Sequence, residues 1–227
     1  MDQQLGSLIA ANVTFVGTHL ALSHPLRRPL ATALGEKGFL GLYSLVSLAA
    51  LGWVTMAFRA SGPGGDMLWD GQAALPWATA SALALLAMVL LAGSFKGNPA
   101  LPGAPAALAR AEPLGVFAVT RHPMMWGFAL WALAHILVSP SPRTLATAGG
   151  IGFLALVGAH LQDRKKEALM GADWQGWEAK TSYWPRWGRL AGVGAVPWLA
   201  GLALWLALTW AHVWLAYEAA GIWRWIG

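Results

Sequence analysis

Apolar residues gather along the chain into six windows that contain no Asp, Glu, Lys or Arg: residues 5–23, 38–58, 74–95, 123–142, 144–162 and 190–217. A helix needs about 20 mostly apolar residues to cross the hydrocarbon of a bilayer, so each window predicts a spanning helix. The fourth is the shortest usable one, because Ser139-Pro140-Ser141-Pro142 predicts a turn. The chain starts Met-Asp-Gln-Gln, with no basic stretch ahead of the first window. That window is therefore expected to stay as a membrane helix and not to act as a signal peptide.

The connections differ in kind. Residues 96–120 are rich in Pro and Ala, with Pro99, Pro102, Pro105 and Pro113, and predict an ordered loop or re-entrant stretch. Residues 163–189 mix charges with Trp174, Trp177, Tyr183, Trp184 and Trp187, the pattern of an amphipathic segment lying in the interface. The expected fold is all-α: a polytopic membrane helix bundle of about six transmembrane helices forming one domain over residues 1–227, plus that interfacial segment.

Composition narrows the class. Hydrophobic residues make up 57% of the chain and charged residues 11%, about half the charge of a soluble domain. This excludes a disordered chain, a nucleic-acid-binding domain and an ordinary cytosolic enzyme. The 15 Trp fit a protein with two membrane–water boundaries. The absence of Cys removes disulfides, thiolate metal sites and cysteine nucleophiles.

The net charge of +5 is uneven along the chain. Of the 15 Lys and Arg, only Arg59, Arg143 and Arg224 lie outside the loops that follow the first, third and fifth windows. The positive-inside rule places those three loops in the cytoplasm and both termini on the other side. The charge is thus a topology signal. The partner it calls for is the lipid bilayer, not nucleic acid.

With so little charge in the windows, histidine is the main candidate for chemistry inside the membrane. His19, His122, His135, His160 and His212 lie within windows or at their edges, and His24 lies just beyond the first. A neutral imidazole is the cheapest titratable group to bury, and it is a good iron ligand. His19 shares a helical face with Asn12, Phe15 and Ser23, and His135 with Met124, Phe128 and Trp131. Each of these also fits ordinary hydrogen bonding between helices. Tyr43 and Ser47, one turn apart, fit an interhelical hydrogen bond. His160, three residues before Asp163, predicts a local His–Asp pair. His212 shares its face with Trp205 and Thr209.

The densest polar cluster is Thr120-Arg121-His122-Pro123. Proline suits the first position of a helix. Arg121 and His122 then stand beside a helix N-terminus, where a phosphate, a carboxylate or a haem propionate is favoured. The same residues also fit a basic membrane anchor.

Three stretches resemble the NnrU family of bacterial membrane proteins. They are Thr18-His19-Leu20-Ala21-Leu22-Ser23 followed by Arg27 and Arg28, then Gly41-Leu42-Tyr43-Ser44-Leu45-Val46-Ser47, and then the run from Thr120 to His135. The resemblance implies a multi-pass protein of the bacterial inner membrane, encoded near denitrification functions. Its relatives include the cis-zeta-carotene isomerases, which hold haem b through histidines. Carried over by motif, His19 and His135 are the implied metal ligands, with His122 the next candidate. Arg27, Arg28, Arg121 and His122 are the implied contacts to the cofactor. A respiratory-chain partner or a lipid-soluble substrate would follow.

A more distant resemblance joins Arg121-His122-Pro123, Gly127, Glu167 and Trp184-Pro185-Arg186 to the isoprenylcysteine and phospholipid methyltransferases, which use S-adenosylmethionine. Met125 or Trp126 stands where that pattern has Tyr, and Lys165 and Lys166 replace an acidic pair.

On straight helices His19 lies about 6 Å and His135 about 18 Å from the cytoplasmic face, a depth difference of about 12 Å. Four readings result: a haem protein with a redox or regulatory role in nitrogen-oxide metabolism, a haem-dependent isomerase of a polyene, a methyltransferase, and a cofactor-free assembly protein.

Overall fold

The computed structural model describes residues 3–62, 65–215 and 218–226. Among them are ten α-helices and one 3-10 turn, with no strand. The long ones are α1 (Gln3–Ser23), α2 (Arg27–Ala60), α3 (Ala74–Gly93), α6 (Pro123–Val138), α7 (Pro142–Met170) and α9 (Ala195–Leu215). The short ones are α4 (Ala107–Arg110), α5 (Val116–Val119), α8 (Ala172–Lys180) and α10 (Trp223–Ile226). The chain is an all-helical bundle, and α1, α2, α3, α7 and α9 are each long and apolar enough to cross a membrane.

α6 has 16 residues and is about 24 Å long, short of the ~30 Å hydrocarbon thickness. It stops earlier than the window 123–142 because Ser139 precedes Pro140, and a residue before proline avoids the helical region. Ser141 then caps α7 through Thr144 N, and Pro142 takes the first helical position. Even so, the chain passes six times between two ends of the bundle. One end gathers residues 24–27, the segment 94–122 and the segment 163–192, held by contacts such as Lys166 Nζ to Pro99 O at 2.8 Å. This is the basic end. The other end gathers residues 65–73, 139–143 and 218–226, through Leu68 N to Pro140 O at 3.1 Å and Arg224 Nη1 to Gln72 O at 2.7 Å.

Two boundaries differ from the sequence expectation. α2 begins before residue 38 but is broken at Gly35, whose φ of 71° only glycine adopts cheaply. α7 does not end at Gln162. It runs to Met170, so the first eight residues of the expected interfacial segment 163–189 extend a spanning helix. Of that segment, α8 and the 3-10 turn Trp187–Gly192 form separate pieces at the basic end. The last two residues of the window 190–217 lie outside the described residues, and its first five precede α9.

The main apolar core lies between α3, α6 and α9 and continues to the basic end, where Trp174 and Trp177 are fully buried. α3 and α9 touch at Gly201, where a Cβ would lie 2.6 Å from Val89 Cα. Such close backbone approach at a small residue holds helices together where lipid gives no hydrophobic drive. A smaller core joins α1 to α2 through Leu8, Ala11, Val54 and Ala57.

Candidate functional site

Between α1, α2, α3, α6 and α7 the helices leave a cavity of about 770 Å³, within the range of cofactor and ligand sites. Phe15, His19 and Ser23 line it from α1, spaced by four residues on one helical face. Phe39 and Tyr43 line it from α2, Met88 and Leu91 from α3. α6 supplies Met124, Phe128 and Trp131. α7 supplies Ile151, Leu154, Gly158, Gln162, Lys165 and Leu169, again at helical spacing. The body of the cavity is apolar. Its mouth, at the basic end, carries His24, Arg27, Lys165 and Lys166.

His19 is oriented by its own helix. Its Nδ1 bonds the carbonyl of Phe15 at 2.8 Å. A carbonyl only accepts, so Nδ1 carries the proton and Nε2 keeps its lone pair, the arrangement that second-shell bonds give a metal-binding histidine. The ring lies 4.3 Å from that of Phe15 and meets Tyr43 edge-on at 5.5 Å. The Tyr43 hydroxyl accepts from Ser23 Oγ at 3.4 Å, an interhelical bond as expected, whereas Ser47 Oγ is buried with no hydrogen-bond partner among the described residues.

His135 takes the same posture, with Nδ1 on Trp131 O at 2.8 Å. Its ring lies 4.1 Å from that of Trp131 and 6.1 Å from that of His212. His212 in turn bonds Leu208 O through Nδ1 at 2.7 Å. His135 thus neighbours His212, whereas Trp131, one turn earlier, reaches the cavity that His19 lines.

Helix register sets the depth between the two. Asn12 of α1 meets Thr147 of α7 at 3.4 Å, and a Cβ on Gly150 would sit 3.4 Å from Asn12 Oδ1. On the other side of α7, a Cβ on Gly152 would meet Ala132 at 3.4 Å. His135 is therefore near the level of Asn12, about 10 Å outward of His19.

Arg121 and His122 stand elsewhere, in a buried ion cluster. Arg121 Nε and Nη2 bond both oxygens of Asp163 at 2.7–3.0 Å, and Nη2 lies 3.3 Å from Glu178. His122 Nε2 bonds Asp163 Oδ1 at 2.7 Å, with the imidazole fully buried. Thr120 Oγ1 donates to the carbonyls of Ser182 and Tyr183, and Tyr183 OH to Leu156 O. These contacts clamp α6, α7, α8 and the segment 181–186 together. The expected pairing of Asp163 with His160 is not formed. His160 is exposed, and the Asp163 carboxylate is instead taken up by Arg121 and His122, brought to it from the start of α6. Arg121 Nε and Nη2 and His122 Nε2 are engaged by carboxylates of the chain itself, while His122 Nδ1 is buried with no hydrogen-bond partner among the described residues. The cavity beside them measures about 20 Å³, room for about one water.

Arg27 lines the large cavity while one Nη donates to Glu36 at 2.9 Å, and its guanidinium lies 5.3 Å from the Phe39 ring. Arg28 is exposed. His24, Lys165 and Lys166, none of them among the cofactor contacts expected from the sequence, also stand at this mouth. Continuing the α7 stripe 151, 154, 158, 162 by one turn finds Lys165.

A family model described as NnrU protein matches residues 7–219 of the chain. No curated protein and no solved structure matches it.

Proposed function

The chain belongs to the NnrU family, and from that premise we propose that it is a haem b protein of the bacterial inner membrane with a redox or regulatory role in nitrogen-oxide metabolism. One observation carries this reading: His19, with Nε2 free of hydrogen bonds among the described residues, lines an apolar cavity whose mouth is cationic. The residues fit the group. His19 offers a nitrogen ligand, the aromatic and Met side chains around it suit a flat apolar ring system, and Arg27 and Lys165 suit its propionates. When bound, haem b would supply one-electron chemistry and an iron open to small ligands. His135 completes the pair implied by family resemblance, but it lies about 10 Å outward and beside His212. The cavity therefore supports His19 as the ligand with His135 as a second only if α6 shifts. The basic end would face the cytoplasm.

The apolar body of the cavity also favours a lipid-soluble polyene as substrate. Nothing in the geometry favours S-adenosylmethionine at Arg121 and His122, where the space is about one water.

The test is a reduced-minus-oxidised spectrum of the detergent-purified protein after expression with ample haem. Soret and α bands are expected, lost on His19→Ala. A spectrum without bands overturns the haem reading.

A further inference from the structure

We propose that the mouth of the cavity binds a carboxylate and that the cavity takes an anionic amphiphile, its acid head on Arg27, His24 and Lys165 and its apolar body against Phe15, Met88, Met124 and Trp131. This rests on the cavity being the ligand site, but not on the ligand being haem.

The charge balance is the first support. Four cationic or titratable nitrogen groups line the mouth, and the lining includes no Asp or Glu. Lys166 is already engaged: its ammonium donates to Pro99 O at 2.8 Å and Leu101 O at 2.9 Å, which pins the loop across the mouth. Arg27 shares one nitrogen with Glu36, whose side chain is 63% exposed on the outer side. Lys165 forms no ion pair among the described residues, and it lies close enough to both Arg27 and His24 to repel them. Like charges gathered at the edge of an apolar cavity cost free energy, and an anion there relieves it. Burial holds His24 below the ordinary histidine value, and the charge of Lys165 adds to it in the same direction.

Shape is the second support. The groups that bind charge are confined to one end, and the side chains beyond them are aliphatic, aromatic or thioether apart from Ser23, His19, Tyr43 and Gln162. A ligand charged at both ends, or small and wholly polar, would leave this surface unmatched. Leu40, Leu51 and Phe128 line the cavity and are also exposed on the flank of the bundle. An apolar body can thus enter sideways from the lipid while its head stays at the basic end.

Two sources share this chemistry: the propionates of haem, and a free fatty acid of the adjoining leaflet. The full-length protein in phosphatidylcholine nanodiscs is titrated with cis-parinaric acid, a fluorescent polyene fatty acid, and separately with its methyl ester. Empty nanodiscs give the partition background. The acid is expected to bind at least about tenfold more tightly than the ester, a factor typical of a charge-assisted contact. Arg27→Gln with Lys165→Gln should remove that preference and leave ester binding unchanged. Lys165→Gln alone, at a residue without an ion pair to break, should reduce it severalfold. Gly158→Leu, at a position where a Cβ meets nothing within 4 Å, should fill the cavity and abolish binding of both.

Equal affinity for acid and ester, or a preference that survives the double substitution, overturns the proposal. Haemin that displaces the acid identifies propionates as an accepted head. Haemin that binds without displacing it moves haem out of this cavity and leaves the fatty acid as the occupant. His19→Ala separates the two readings, since it should remove haem bands and leave parinaric acid affinity intact.

Discussion

His122 donates its Nε2–H to Oδ1 of Asp163 over 2.7 Å, joining the first turn of α6 to α7 across 41 positions of sequence. The same carboxylate takes three further contacts within 3.0 Å from Arg121. One buried acid therefore holds two donors that would otherwise be stranded. Removing one member of such a cluster leaves uncompensated charge, at a cost of about 3–5 kcal/mol. Asp163→Asn is expected to lower the thermal midpoint in detergent clearly, and more than His160→Ala, which removes an exposed side chain. Equal midpoints for the two variants would show the cluster to be dispensable for stability.

The histidines should separate by spectrum. His19→Ala is expected to abolish the reduced-minus-oxidised bands. His212→Ala, whose ring neighbours His135 away from the cavity lining, should leave them in place. A changed α band in His135→Ala alone would show a second axial nitrogen arriving from α6.

Glycines on two helices predict opposite responses. Gly201→Ala places a Cβ 2.6 Å from the Val89 backbone, so α3 and α9 must part. Overpacking of this kind costs about 1–3 kcal/mol. Gly158→Ala meets open space and replaces glycine inside a helix, which favours the fold by up to about 1 kcal/mol. Paired thermal melts should move in opposite directions. A melt of Gly201→Ala at or above the parent midpoint would contradict the close approach of the two helices.

His24 sets an acid response. Its folded value is lowered by burial and by Lys165, so the unfolded chain binds the proton first as pH falls below about 6.5. Stability present at neutral pH is therefore lost as pH falls below the unfolded value and on through the lowered folded value, and none is gained above the unfolded value. His24→Gln should flatten this part of a stability–pH profile. An unchanged acid limb in that variant would assign the response to another group.

Hydropathy made the bundle legible. The six windows map onto six helices because a spanning segment must satisfy its backbone internally and can hardly be anything else. Helix ends were less legible. Gln162 looked terminal because a charge follows it, yet Asp163 and Lys166 are buried on partners brought from α6 and from the loop at Pro99 and Leu101. A sequence shows the charge and not the distant group that neutralises it. The site divided in the same way. The face of His19 followed from spacing by four, whereas the engagement of Arg121 and His122 with Asp163 depended on how two helices lie side by side.

The end of the bundle away from the basic loops is closed. Trp69 Nε1 bonds Leu137 O at 2.9 Å, Trp77 Nε1 bonds Gly221 O at 3.0 Å, and Arg224 lies 4.5 Å from the Trp77 ring. The described residues after α9 fold back over α3 to make this seal. None of these residues lines the cavity, so the cationic pocket and the tryptophan seam are separate parts of one bundle, and a substitution in the seam should change stability while the pocket keeps its lining.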